Sequence, residues 1–354
     1  MTGPHPGRPA PEWYTSAELL DIERRRVFDS CWALVGTVEE VAQPGSYVTA
    51  TVGTSPLIVA RDHDGDLRAV HNLCRHRGLP VLEPTHGGAG ECGRFLTCPY
   101  HQWSYDLTGA LRRVPQAEDQ FANVDPGAWG LLEAQAATWH GMVFANPDPD
   151  ARSLDESLGF LDERLSGFLS GPLVEVAKVE YTARCNWKLL VENHIDVYHL
   201  WFVHSRSLSM YQHRQFEWNW EGGNWWSLEP LKDPAPAAHA PLGWLTSREK
   251  QSIGAHLLFP NVMMAHTGEY FATYDATPLG PDTTKLVLRI RSTVDADGDA
   301  LIEAVRSFLA EDLAVCELLQ QGVGSSRFRA GPLAATHEAP IRAFHATLAS
   351  RCGS

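Results

Sequence analysis

The sequence predicts an α+β protein of two domains, and three observations carry that prediction. A β-rich run extends from about Val41 to Asn146, a Pro/Asp-rich joint ANPDPDARS follows it, and the second half mixes helical periodicity with strand patterns. With 354 residues and 44% hydrophobic content, the chain is long enough to bury two ordinary cores.

Residues 16–35, SAELLDIERRRVFDSCWALV, open on Ser16 at an N-cap position. They set Leu19, Leu20, Ile22, Val27 and Phe28 near a helical period, which predicts one amphipathic helix. Residues 1–40 are thus expected to be an N-terminal helical segment packing on the larger domain. From Val41, runs such as SYVTATV and PLIVARD are punctuated by Pro-Gly and Asp-Gly turns, so residues 41–150 read as a small all-β domain. Residues 151–354 form the second domain, with helical patterns, a Trp-rich alternation at 216–226, strands near 256–292 and a long helix over about 299–321. No internal repeat or low-complexity tract occurs.

A net charge of −14 and a pI near 5.5 leave no broad basic face for phosphates, which argues against nucleic acid and anionic membranes as partners. The opening MTGPHPGRPAPEW has no apolar signal core, and no run of eighteen apolar residues occurs, so a cytoplasmic location is expected. Seven scattered cysteines read as reduced thiols and metal ligands better than as a disulfide framework.

Two short segments concentrate metal-binding residue types. NLCRHRG holds Cys74-x-His76 and TCPYHQW holds Cys98-x-x-His101, with 21 residues between the pairs. Each pair offers one thiolate and one imidazole. A Rieske [2Fe–2S] cluster needs two thiolates on one iron and two imidazoles on the other, a demand that two such loops meet directly. Zinc is the alternative for these ligand types, but zinc-finger spacing groups cysteines with cysteines and histidines with histidines. Cys92, nearby, lacks a histidine partner at either spacing and reads as a small loop or core residue.

The second domain contains NWKLLVENHIDVYHLWFVH. If it is helical, Asp196 and His199 share a face at i and i+3, and His204 follows about one turn later. A mononuclear iron(II) oxygenase needs two imidazoles and one carboxylate on one face of the metal, with other positions left open. The residues alone leave the carboxylate undecided: either Asp196 ligates, or it stands behind His199 and a distant residue ligates. His194 reads as a core histidine satisfying a buried hydrogen bond.

CRHRG followed by CPYHQWSYDLTGAL resembles the cluster fingerprint of Rieske non-haem iron oxygenases, and Glu192-Asn193-x-x-Asp196-x-Tyr198-His199-x4-His204 resembles the catalytic motif of their α subunits. The likeness extends over the N-terminal helix, the whole β domain and the closing LAATHEAPIRAFH. It implies an all-β Rieske [2Fe–2S] domain, held to its cluster by Cys74, His76, Cys98 and His101. It further implies a helix-grip catalytic domain with a central antiparallel sheet. There His199 and His204 ligate Fe(II), and AEDLAVCELLQQGVGSSRF resembles the segment supplying the third ligand, matched to Asp312. Glu311 is the competitor one residue away. Asp196 would bridge His199 to His101 of a neighbouring chain in a head-to-tail homotrimer. Where this chain has Gln102, the family usually has Gly or another small residue.

The implied function is that of a terminal oxygenase, activating O2 to hydroxylate or oxidatively dealkylate a small organic substrate. The chain has no Gly-x-Gly-x-x-Gly after a strand, so its electrons are expected from a separate reductase, with or without a ferredoxin. Arg75, Arg77, Arg94, Arg112 and Arg113 either steer an acidic carrier to the cluster or pair locally. The late ED…C…QQGxGSS run most resembles the branch oxidising choline, betaines and carnitine, with aromatic-ring hydroxylation as the alternative. Trp201, Trp218, Trp220, Trp225, Trp226 and Trp244 read as sheet core or as an aromatic wall, and Arg206 or Arg214 as partners for a substrate carboxylate. A non-catalytic Rieske electron carrier leaves the second motif unexplained, and a zinc-stabilised binding protein would be colourless.

Overall fold

The computed structural model describes residues 9–83, 88–121, 125–233 and 241–353. The Pro-rich opening, residues 1–8, lies outside them. The chain divides into two compact units: Glu23–Ser157, and Met1–Ile22 together with Leu158–Ser354.

In the first of these units, β1 (Ala33–Thr37), β2 (Ser46–Val52), β3 (Ser55–Arg61), β4 (Leu67–His71), β5 (Gly88–Glu91), β9 (Glu133–Trp139) and β10 (Met142–Asn146) form one sheet, ordered β1-β10-β9-β4-β3-β2-β5. A small three-stranded sheet holds β6 (Leu96–Thr97), β7 (Ser104–Tyr105) and β8 (Leu111–Arg113). Alternation along SYVTATV buries Val48, Ala50 and Val52 against Val35, Val41, Leu57 and Val143. A second apolar cluster, with Ile58, Val70, Leu96, Trp103, Tyr105 and Leu131, includes Cys74 and Cys98. Both cysteines are therefore seated in packed core, although their loops come from opposite ends of the fingerprint.

The helix expected over residues 16–35 is shorter than its periodicity implies. It runs over Ala17–Arg26, is followed by a 3-10 turn at Phe28–Ser30, and gives way to β1. Asp29 draws the chain aside, because its carboxylate accepts from Thr54 N at 2.9 Å and Thr54 Oγ1 at 2.6 Å. Residues 33–37 are then buried on every side, a pattern met by pairing with β10 and not by an amphipathic helix.

The other unit is built on a seven-stranded antiparallel sheet ordered β11-β17-β16-β15-β14-β13-β12. Its strands are β11 (Val174–Ala183), β12 (Glu217–Glu221), β13 (Asn224–Pro230), β14 (Ser252–Leu258), β15 (Val262–His266), β16 (Phe271–Gly280) and β17 (Thr283–Ser292). The β12–β13 hairpin turns on Gly222 and Gly223, both at positive φ, as a two-residue hairpin loop requires. The long helix Gly298–Val323 and the helix Trp187–Ile195 pack on each other and on this sheet. Tyr14, from the short helix Glu12–Thr15, is buried in the same unit and donates to the Glu192 carboxylate at 3.0 and 3.1 Å. His345, on the closing helix Ala339–Cys352, meets Glu192 Oε1 through Nε2 at 2.9 Å. Both chain ends thereby anchor the helix that leads into the second motif. No described helix is long and apolar enough to cross a membrane.

Candidate active site and cluster site

In the β unit, the loops after β4 and β6 bring Cys74, His76, Cys98 and His101 together. Cys74 and Cys98 are 3% and 1% exposed, whereas both histidines are only partly buried, so the pair of thiols lies inward and the pair of imidazoles outward. The rings of His76 and His101 stand 4.5 Å apart, and His76 stacks on Trp103 at 5.0 Å. Tyr105 Oη contacts Cys74 Sγ at 3.3 Å and accepts from Arg75 N at 3.0 Å. Burial raises the Cys98 thiol, with Cys74 beside it adding to the rise. His76 is shifted the other way: burial, then His101 and Arg77, disfavour its cation. His76 Nδ1 is buried without a hydrogen-bond partner. An uncharged imidazole with an orphaned nitrogen, facing a second imidazole and backed by two adjacent thiols, fits a [2Fe–2S] cluster with split ligation.

Gln102 has φ +58°, in the left-handed region that glycine enters without penalty. That backbone position is the physical reason a small residue suits this point of the loop. Of the five arginines, three pair locally: Arg75 lies over the Trp129 ring, Arg77 over Tyr100, and Arg112 bonds Asp106 at 2.7 Å. Cys92 Sγ donates to Gly45 O at 3.2 Å, and Cys92 packs at the edge of the apolar cluster that holds Cys74 and Cys98.

In the other unit, the helix carrying Asn193 starts at Asn186, whose side chain accepts from Lys188 N, and it ends at Ile195. Asp196 does not sit on it. The Asp196 carboxylate accepts from Tyr198 N at 2.6 Å, a local turn that competes with the helical bond, and the chain continues as a 3-10 turn over Tyr198–Trp201. The expected helical face for Asp196 and His199 is thus replaced by a turn. The two side chains still approach, with His199 Nδ1 3.5 Å from Asp196 Oδ2, too long for a well-formed hydrogen bond.

His199, His204 and Asp312 converge with their ligand atoms all within 4.8 Å of one another. Asp312 Oδ1 lies 2.9 Å from His204 Nε2 and 3.4 Å from His199 Nε2, and it accepts from Asn193 Nδ2 at 2.8 Å. Glu311 takes the opposite side of His204, meeting Nδ1 at 2.7 Å while accepting from Ser207 Oγ at 2.6 Å. The geometry therefore separates the two acids: Asp312 faces the inner nitrogens and Glu311 the outer one. Helical phase explains it. Leu301, Val305, Leu309 and Cys316 form the buried stripe of Gly298–Val323, and Asp312 occupies the next step of that stripe, three residues after Leu309.

Burial works against a charged His199, yet Asp196 and Asp312 outweigh it and raise the imidazole to about 9. Asp312, which burial alone would raise, is held well below the usual carboxylate range by His199 and His204. Both shifts arise from an imidazole and a carboxylate held close together, as a cation site holds them. Two imidazoles, that of His204 aimed by the outer carboxylate of Glu311, plus one inward carboxylate fit Fe(II). His194 stands apart, with Nε2 3.0 Å from His256 O, and burial pushes it down to about 4.

A cavity opens beside this group. Its floor follows from register: Ser227, Ala255, Ala265 and Ala272 pair in a row across four strands, the first three lining the cavity, and this file of small side chains hollows the sheet. Trp225, Met263 and Tyr274 stand along one side. Trp225 alone among the six tryptophans lines the cavity among the described residues; Trp226 lies under Arg164, Trp244 Nε1 donates to Phe168 O, and Trp218 is exposed. Arg206 and Arg214 are exposed and line no part of it. Sequence reasoning missed Tyr211, His213 and Glu229, which do; nothing local in the sequence ties residue 213 to residue 229.

Residues 171–354 match the family "Ring hydroxylating alpha subunit (catalytic domain)" and residues 31–126 match "Rieske [2Fe-2S] domain". The chain is 37% identical over 198 residues to the chlorobenzene dioxygenase subunit alpha of Cupriavidus sp. (strain PS12), covering 54% of this chain and 43% of that protein. It is 26% identical over 369 residues to the glycine betaine monooxygenase oxygenase subunit of Chromohalobacter salexigens, covering 92% of this chain and 81% of that one. The match thus spans less than half the length of the dioxygenase subunit. Among solved structures, the quaternary ammonium Rieske monooxygenase CntA in complex with an inhibitor superposes with a TM-score of 0.82 at 24% identity, covering 97% of this chain and 94% of that one, a likeness of fold.

Proposed function

The chain belongs to the family of ring-hydroxylating α subunits, a Rieske [2Fe–2S] unit joined to a mononuclear-iron catalytic unit, and we propose that it is the terminal oxygenase of a Rieske system. The observation that carries this reading is the convergence of His199, His204 and Asp312 beside a mainly apolar cavity. Cys74, His76, Cys98 and His101 would hold the cluster; His199, His204 and Asp312 would hold the iron. When bound, the cluster supplies single electrons and the iron supplies O2 activation.

The protein's own residues prepare that chemistry. Glu311 and Ser207 fix the outer nitrogen of His204, and Asn193 fixes the Asp312 carboxylate, so neither ligand must reorganise to meet a cation. Leu190, Leu208, Met263, Phe308 and Leu309 keep the cavity wall apolar and exclude water from it. Asp196 would connect His199 to His101 of an adjacent subunit in a homotrimer, giving electrons a short route. A separate reductase would supply them. No disulfide is present among the described residues.

Hydroxylation or oxidative dealkylation of a small quaternary ammonium compound is the favoured chemistry. Tyr211, Trp225 and Tyr274 offer aromatic faces beside acidic groups, while no Lys or Arg lines the cavity among the described residues. Ring hydroxylation of a neutral arene is the second reading, favoured by the apolar remainder of the wall. The test is oxygen uptake by the iron-loaded protein with a reductase, scored against product mass over a panel of alkylammonium and aromatic compounds. Product carrying one added oxygen, or a lost alkyl group, supports the reading; reduction of the cluster with no product from any compound counts against it.

A further inference from the structure

The cavity carries a polar pair that the iron site does not use. Glu229 on β13 and His213 in the 3-10 turn His213–Gln215 both line it, are 5% and 4% exposed, and meet through Oε2 and Nδ1 at 2.6 Å. Strand alternation sets the aim of the carboxylate. Trp225, Ser227 and Glu229 occupy one face of β13, and all three line the cavity.

A carboxylate buried this deeply is costly unless its charge is answered. His213 satisfies Oε2, but Oε1 receives no hydrogen bond from a described residue. Three carboxylates line the cavity, Asp196, Asp312 and Glu229. Two of them attend His199 and His204, which leaves Glu229 as the one available to a ligand. Tyr211 beside it stays a neutral phenol, pushed up to about 12 first by burial and then by Glu269 and Glu229.

We infer that Glu229, oriented by His213, is the specificity-determining residue of this cavity and selects a substrate with a cationic ammonium head and no carboxylate. The inference rests on the oxygenase reading of the same cavity and adds to it which cations fit. An ammonium is answered by Glu229 and by the faces of Trp225 and Tyr211. A betaine brings an anionic end for which the described lining has no Lys or Arg, and which Glu229 repels.

The test compares binding of choline, glycine betaine and 3,3-dimethylbutan-1-ol, the uncharged isostere of choline, to the metal-loaded protein by titration calorimetry. The expected result is that choline binds at least about tenfold more tightly than either other compound. Glu229→Gln keeps an acceptor for His213 but loses the charge. It should erase most of the choline preference and leave the isostere's affinity unchanged. Equal binding of all three by the unmodified protein overturns the inference without any variant having to fold, and so does a Glu229→Gln protein that keeps the preference. Turnover of a neutral compound with no cation preference would sink the Glu229 assignment and spare the oxygenase reading. A cation preference with no turnover of any compound would do the reverse.

Discussion

His204 meets Glu311 through its outer nitrogen at 2.7 Å while its inner nitrogen stands 2.9 Å from Asp312. Neighbouring acids on one helix thus handle opposite edges of one imidazole. Glu311 takes the Nδ1 edge, which leaves Nε2 as the nitrogen turned toward Asp312 and a cation.

Glu311→Gln should therefore weaken mononuclear iron binding about 10- to 100-fold without touching the β unit. Iron titration of metal-depleted protein, followed beside the cluster's visible spectrum, checks this. An unchanged iron affinity would mean that Ser207 and burial hold His204 by themselves.

Asp312→Ala and Asp196→Asn should fail in different ways. The first removes the carboxylate shared by both histidines, and should abolish mononuclear iron while the cluster spectrum persists. The second leaves the three converging groups intact. It should keep both metals but lower product formation roughly a hundredfold, through slowed electron transfer into the iron site. Metal analysis paired with single-turnover product yield separates the two.

pH should act on the protein depleted of mononuclear iron through His199 and Asp312. His199 is raised from 6.5 to about 9, so its contribution to stability is complete below about pH 6.5 and is lost as pH rises through about 9. Asp312 is depressed, so its contribution is present above the ordinary carboxylate value and is lost as pH falls below it. Urea unfolding of the depleted protein should show greatest stability between about pH 4 and 6.5. Iron must displace the His199 proton, so iron affinity should increase with pH up to about 9.

Gln102→Gly should stabilise the β unit. A non-glycine residue at φ +58° carries a left-handed penalty of about 1–2 kcal/mol, partly offset in the variant by the extra freedom of an unfolded glycine. A gain of about 0.5–1 kcal/mol, seen as a higher unfolding midpoint with an unaltered cluster spectrum, is the expected outcome.

Ala255→Leu places a branched side chain in the file of small residues that hollows the sheet. Substrate binding should weaken by about 10- to 200-fold at full iron content, because the added bulk occupies the cavity floor and not the ligands. Steady-state kinetics beside iron analysis tests it.

Much of the metal chemistry was legible in the chain, for a local reason. Cys74 and His76, Cys98 and His101, and His199 and His204 each lie within five residues of their partners, so short spacing brings the ligand types together before the units are packed. The α+β class followed from periodicity in the same way, whereas Asp312 was matched only through the resemblance of its segment to the family's, with Glu311 as competitor. Tertiary structure decided the rest. It ended one helix at Ile195 and another at Arg26, because Asp196 and Asp29 found backbone partners that no helical pattern reveals. It turned Glu311 to the far side of His204 and scattered five of the six tryptophans away from the cavity. It also joined His213 to Glu229 and aligned Ser227, Ala255, Ala265 and Ala272. Those relationships depend on register between strands distant in sequence, where a shift of one residue sends every side chain to the opposite face. Short segments bring most of the candidate ligand types together; the shape and charge of the cavity they face belong to the folded sheet.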